Sequence, residues 1–171
     1  ELWSEFNSSG KAVSIMKALS TYQVALDNWG TMTLSEIIPY VTQAAEQGIR
    51  VTENLHNLID SSYEKLYMHE ASRELWLKDG LTVPEVGDVI YNPDLIDTLN
   101  LIAENGIEYF YEGPIAQEIV DIIQADGGVM NMNDLKTAMT DVLVIDDPVE
   151  VTYRGYKLYS MPLPSSGGVI V

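Results

Sequence analysis

The chain has 171 residues and 46% of them are apolar, so it is long enough for one domain with a sizeable core and too apolar to be disordered. Nine basic residues against 26 acidic ones give a formal charge of -17, which repels nucleic acid and anionic membrane surfaces. The plain reading of that charge is solubility, and the other reading is recruitment of a cationic partner. The absence of cysteine excludes disulfides, zinc thiolates and thiol catalysis, and leaves the compartment open. No apolar run approaches the roughly 20 residues of a membrane helix, and no signal peptide is present. Residue 1 is Glu, which points to a start that is processed, engineered or missing.

Taken in order, Glu1 to Lys11 has no period and reads as a loop or frayed end. Ile15, Ala18, Leu19, Tyr22 and Leu26 follow helical spacing, and Asn28-Trp29-Gly30 closes that helix. Thr33-Leu34-Ser35-Glu36 is a capping box, in which hydroxyl and carboxylate satisfy each other's backbone amides at a helix start. Pro39 predicts a kink in that helix, which continues to Gln47-Gly48. Thr52 opens a further helix from about Glu53 to Ile59, with a weaker box because Leu55 is not acidic. Asp60 to Gly87 reads as a connecting region with one short helix over Ala71 to Leu77, the turn Asp79-Gly80 and the breaker Pro84.

Asn92 to Gly128 is more legible. Asn92-Pro93-Asp94 is a helix start, because Asn caps an orphan amide, Pro suits the first helical position and Asp faces the positive end of the dipole. Leu95, Ile96, Leu99, Ile102 and Ala103 predict a buried stripe, and Asn105-Gly106 the stop. Tyr109-Phe110-Tyr111-Glu112-Gly113 breaks the rhythm. Pro114 restarts it with Ile115, Ile119, Ile122 and Ile123 on one face, ending at Gly127-Gly128. Asn131 or Asn133 caps another short helix. The period then changes from 3.6 to 2: Val149, Val151 and Tyr153 alternate with Glu150 and Thr152, and Tyr156, Leu158 and Ser160 with Lys157 and Tyr159, around the turn Arg154-Gly155. Val142 to Ile145 reads as a further strand. Met161-Pro162-Leu163-Pro164 is an extended or turn segment, Ser165-Ser166-Gly167-Gly168 a helix cap, and Val169-Ile170-Val171 a first apolar turn. One turn is too short to nucleate alone, so the expectation is that the chain is part of a longer one. The layout is thus a single partial domain over residues 1–171: helical from 14 to 140, a β-hairpin from 142 to 161, and a loop and helix start from 162 to 171.

None of the candidate groups forms a complete catalytic set. Ser165-Ser166-Gly167-Gly168 before a helix can present amides to an anion, or simply make a cap and tight turn, since no lysine or general base accompanies it. His56 and His69 are too far apart for a helical metal pair and read as surface or packing residues. Glu70, Glu74 and Asp79 near His69 read as a solvated acidic face. Asp146-Asp147 and the region from Asp121 to Asp126 lack the calcium-loop spacing. Trp29, Trp76 and Tyr109-Phe110-Tyr111 are expected as core anchors rather than a stacking platform, because no Arg or Lys interleaves them. No catalytic, substrate-binding or metal-ligating residue and no cofactor is therefore assigned.

A resemblance supplies what the residue chemistry does not. Tyr153-Arg154-Gly155-Tyr156, Tyr159-Ser160-Met161-Pro162 and Pro164-Ser165-Ser166-Gly167-Gly168 resemble the gamma-glutamyltransferase (gamma-glutamyltranspeptidase, glutathione hydrolase) family. In the same order, Leu77-Lys78-Asp79-Gly80, Gly87-Asp88, Asn92-Pro93-Asp94-Leu95, Ile102-Ala103-Glu104-Asn105-Gly106, Phe110-Tyr111-Glu112-Gly113, Ile115-Ala116, Gly127-Gly128 and Asp134-Leu135 resemble the middle of that family's large subunit. Trp29-Gly30-Thr31-Met32 and Ala45-Glu46-Gln47-Gly48 extend the likeness toward the start, so that it covers about Ser14 to Val171.

The resemblance implies an α+β segment of an N-terminal nucleophile hydrolase, whose αββα sandwich is made as a precursor that cuts itself into two subunits. It implies that the N-terminal Thr of the small subunit attacks the gamma-glutamyl amide with its own amine as base, and that water or an acceptor amine resolves the acyl-enzyme. It further implies the small subunit as partner, a gamma-glutamyl small molecule as substrate, and an extracellular, periplasmic or cell-surface location. The Thr motif and the family's glutamate-binding Arg are not among these 171 residues. Two positions depart from the family: Val13-Ser14-Ile15-Met16 stands where Gly-x-Pro-Gly is usual, and Leu163 where the family's second Pro lies, a conservative change in an extended loop, so Pro162 to Gly168 is expected as scaffold near the hairpin rather than lining of the substrate cleft. The rival expectations are a non-catalytic homologue or binding module and a related acylase acting on another amide.

Overall fold

The computed structural model describes residues 3–145 and 147–170. The chain divides into two compact units, Glu1–Asp141 and Val142–Val171. The first is helical: α1 (Trp3–Asn7), α2 (Ala18–Trp29), α3 (Leu34–Ala45), α4 (Glu53–Ser61), α5 (Tyr63–Met68), α6 (Glu70–Trp76), α7 (Pro93–Asn105), α8 (Glu108–Tyr111), α9 (Pro114–Ala125) and α10 (Met132–Thr140). Strands β1 (Ile49–Arg50) and β2 (Val89–Ile90) pair antiparallel, Ile49 opposite Ile90. The second unit holds the hairpin of β3 (Val149–Tyr153) and β4 (Tyr156–Ser160), then α11 (Gly167–Ile170).

Side-chain capping sets the starts of α3, α4, α7 and α10. Thr33 Oγ1 accepts from the Glu36 amide at 3.3 Å, while the Thr33 amide and hydroxyl both donate to Glu36 Oε2 at 2.8 Å and hold that carboxyl below the usual carboxylate range. Asn92 Oδ1 accepts from the Leu95 amide at 3.1 Å, with Pro93 next in line. Asn131 rather than Asn133 caps α10, in a full box with Asp134. Thr52 makes only the one-sided cap that Leu55 permits. Helix α3 runs as one segment through Pro39.

Two apolar clusters form the core of the first unit. The larger gathers Ile38, Ile102, Ile107, Tyr111, Val120, Ile123 and Leu135 from α3 and from α7 through α10. The smaller gathers Val51, Ile59, Leu77 and Ile90, with Tyr63, Leu66 and Trp76 against them. The residues from 60 to 87, read as a connection with one short helix, therefore hold two helices and help build a core of their own. The segment is too short of period for the sequence to show it, because each helix offers only one or two residues to the cluster.

Three further differences have physical causes. Residues 1–11, expected as a loop, contain α1 and a 3₁₀ turn over Gly10–Ala12. The turn is anchored by the Gly10 amide, which donates to Asp126 Oδ2 at 2.7 Å, a contact 116 residues away in sequence. Helix α2 begins at Ala18, after Ile15, and Trp29 at its end is 68% exposed rather than a core anchor. Val142 to Ile145 forms no strand: the only partner of β3 among the described residues is β4.

The start of α2 is completed from outside. Lys17 at its N-cap turns its ammonium to Asp141 and caps no amide, so first-turn amides lack partners within the helix. The Ser20 amide donates instead to the Tyr111 hydroxyl at 3.2 Å, and that hydroxyl lies 3.4 Å from Ser20 Oγ; both residues are fully buried. Removing the hydroxyl leaves a buried donor without an acceptor, at a cost of about 1–2 kcal/mol. Urea unfolding of Tyr111→Phe is expected to show that loss, while Tyr40→Phe on the exposed side of α3 stays within about 0.5 kcal/mol of the parent.

Candidate functional site

The second unit is built on its turn. Arg154 and Gly155 both take positive φ, 50° and 84°, which matches the twist of a two-residue hairpin and fixes the register that pairs Val151 with Leu158 and Glu150 with Tyr159. Period-2 alternation then sorts the side chains, with Val149, Val151 and Leu158 on one face and Glu150, Thr152, Lys157 and Tyr159 on the other. On the polar face Lys157 Nζ lies 2.8 Å from Glu150 Oε1. The negative charge of Glu150, and its hydrogen bond to the phenol, push the Tyr159 hydroxyl above the ordinary tyrosine range.

An open cavity of about 590 Å³ lies beside this hairpin, lined by Leu143, Ile145, Pro148, Tyr159, Ser160 and Pro162 among others. Tyr159 is the one member of the Tyr159–Glu150–Lys157 trio that lines it, and the trio is absent from the candidates that the sequence suggests. Cross-strand pairing at Glu150 and Tyr159 is the signal that would have found it.

Ser165-Ser166-Gly167-Gly168 does enter a helix, as expected, but its amides are partly taken. The Ser165 amide donates to the Pro162 carbonyl at 3.1 Å, and the Gly167 amide donates to Ser165 Oγ at 3.4 Å. At Gly168 a β-carbon would run into the Met161 carbonyl and lie 3.2 Å from Val149 Cγ2. Gly168 thus serves close backbone packing onto the hairpin, while Gly167 has room for a β-carbon.

The other candidates stay apart. His56 Nδ1 is 2.8 Å from the Pro84 carbonyl and His69 Nε2 is 3.2 Å from the Ser8 carbonyl, so each ring ties down a different loop. Asp121 accepts from Gln117, and Asp126 from Gly10. Asp146 of the pair Asp146-Asp147 lies outside the described residues. Among the described residues no three His, Asp or Glu side chains converge as a metal site would require. Trp76 packs on the smaller cluster, and Tyr109 and Phe110 are half-buried beside the fully buried Tyr111.

The motifs that carry the resemblance have structural work instead. Lys78 Nζ is 3.0 Å from Asp88 Oδ2, and Asp88 also accepts from the Glu85 amide at 3.0 Å. The Val51 amide donates to the Asp88 carbonyl and the Gly87 amide to the Val51 carbonyl, each at 2.8 Å, so Leu77 to Gly80 and Gly87-Asp88 form one clip around Val51. Gly113 lies so close to Tyr109 that a β-carbon would strike the Tyr109 carbonyl. At Gly128 a β-carbon would lie 2.5 Å from the Gly10 carbonyl. Ala116 and Leu135 are fully buried.

The architecture is thus a mostly helical α+β chain with an antiparallel hairpin, and its markers serve the scaffold. The model of the gamma-glutamyltranspeptidase family matches residues 2–171, and the chain belongs to that family. It is 33% identical over 169 residues to a glutathione hydrolase proenzyme of Bacillus subtilis, covering 99% of this chain and 28% of that protein. It is 31% identical over 159 residues to an acylase proenzyme (ACY 1) of a Pseudomonas species, covering 93% and 28%. Among solved structures it matches the Helicobacter pylori gamma-glutamyltranspeptidase with a TM-score of 0.86 and 28% identity, over 98% of this chain and 47% of that one. The chain thus spans little more than a quarter of the length of the two proenzymes and about half of the solved chain. Its fold is a portion of the large subunit of the N-terminal nucleophile hydrolase type. No helix among the described residues is long and apolar enough to cross a membrane.

The clip predicts a pH dependence. The bond to Lys78 holds Asp88 below its ordinary 3.8, so the stabilisation it gives is present above that value and is lost as pH falls through the folded value. The bond to Asp88 raises Lys78 above its ordinary 10.5, so that side of the clip is lost only as pH climbs past the raised value. Urea midpoints measured from about pH 3 to about pH 7 are expected to fall less steeply at the acid end in Asp88→Asn than in the parent.

Proposed function

We propose that this chain is a large-subunit segment of an enzyme that hydrolyses or transfers the gamma-glutamyl group of glutathione or a related gamma-glutamyl amide. The observation that carries this reading is the family match along 2–171 together with its placement on the gamma-glutamyltranspeptidase structure. In this reading an N-terminal Thr on the small subunit attacks the gamma-carbonyl, its own amine taking the proton. The amine product leaves, and water or an acceptor amine then releases the acyl group. The segment's contribution is scaffold: capped helices, the clip at Asp88 and the hairpin, with no catalytic, substrate-binding or metal-ligating residue of its own and no cofactor. Both units belong to one partial domain that the rest of the precursor completes, the segment alone is inactive, and the enzyme works in an extracellular, periplasmic or cell-surface setting.

A related acylase is the second reading, favoured by the match to the Pseudomonas acylase proenzyme. The full-length protein, assayed for self-cleavage and for hydrolysis of a gamma-glutamyl anilide, separates the two. Cleavage into two subunits with anilide turnover is the expected result. Cleavage without gamma-glutamyl turnover assigns the acylase, and no cleavage overturns the enzymatic reading in favour of a non-catalytic homologue.

A further inference from the structure

The apolar stripe of α2 is only half used by the core. Leu19, Tyr22 and Leu26 of α2, with Ile37 and Val41 of α3 and Leu99 of α7, line a groove of about 400 Å³ whose floor is the buried Ile38. Tyr22 is 59% exposed and Val41 47% exposed. From Leu19 to Leu26 the groove runs about 10 Å along α2, two helical turns at 1.5 Å per residue. Apolar side chains at i, i+3 and i+7 with a second helix beside them form the kind of groove that takes the apolar face of an amphipathic helix.

Charge selects the occupant. The chain has no Lys, Arg or His from Ala18 to Ile49 or from Asp79 to Leu135, so α2, α3 and α7 carry only carboxylates: Asp27, Glu36, Asp94, Asp97 and Glu104. A second copy would bring more carboxylate-bearing helices to this face, and an anionic bilayer would be repelled. A helix with an apolar stripe and flanking lysines or arginines is complementary in both shape and charge. We infer that the groove between α2, α3 and α7 is a docking site for a cationic amphipathic helix of a partner protein.

The test uses the full-length protein and a labelled 18-residue leucine/lysine peptide designed as an amphipathic helix, followed by fluorescence anisotropy at about 150 mM salt, where long-range attraction is largely screened. Saturable binding is expected, at least tenfold tighter than for a peptide of the same composition in scrambled order. Tyr22→Lys and Val41→Lys, both at exposed positions on different helices, are each expected to weaken binding at least tenfold. Leu58→Lys on α4, 55% exposed, adds the same charge elsewhere and is expected to change it less than twofold. Circular dichroism of each variant checks that it is folded. Equal binding of the scrambled peptide, equal loss in all three variants, or no binding to the full-length protein would overturn the proposal. So would a sedimentation-detected dimer that Tyr22→Lys dissolves, because that assigns the groove to a second copy.

Discussion

The helical unit depends on a hydroxyl that serves as another helix's cap. Tyr111 ends α8 with its ring in the larger cluster, and its oxygen meets the Ser20 amide at the first turn of α2. An orphan amide inside a core costs far more than the same amide in water, so the bond decides where α2 can start. Together with Leu19 against the larger cluster and Lys17 on Asp141, that contact holds the start of α2 in place.

What the sequence made legible were the local rules. Thr33 with Glu36, Asn92 with Pro93, Asn131 with Asp134 and Arg154-Gly155 all act within four residues, and each is found where its chemistry predicts it. What stayed hidden were the long contacts. Gly10 on Asp126 turns a seemingly unstructured end into a fixed turn, and Val51 with Ile90 makes a second core from a stretch without period. Trp29 fails as a core anchor for the same reason. A large ring is only a candidate for burial, and whether a cluster lies beside it depends on residues far away in sequence.

The candidate site was legible in a different sense. Pro162 to Gly168 and Leu77 to Asp88 looked like chemistry or like family markers, and the geometry gives them packing and clipping roles. Residues that must sit in one conformation, such as Gly168 against Met161 or Asp88 against Lys78, leave a pattern in sequence as sharp as that of catalytic residues. A family can therefore be recognised from residues whose contacts in the structure are those of packing and clipping. Trios such as Tyr159, Glu150 and Lys157, by contrast, are scattered until the strands pair.

The hairpin of the second unit has one more consequence. In a two-stranded ladder each strand turns one row of amides to its partner and the other row away from it. With β3 and β4 paired only to each other among the described residues, half of their backbone donors have no ladder partner, so the amide protons of this hairpin separate into two classes. Those facing the partner strand are protected by local structure, and those facing outward acquire slow isotope exchange only when another strand is laid beside them. The outward class is a built-in reporter of assembly, readable one residue at a time.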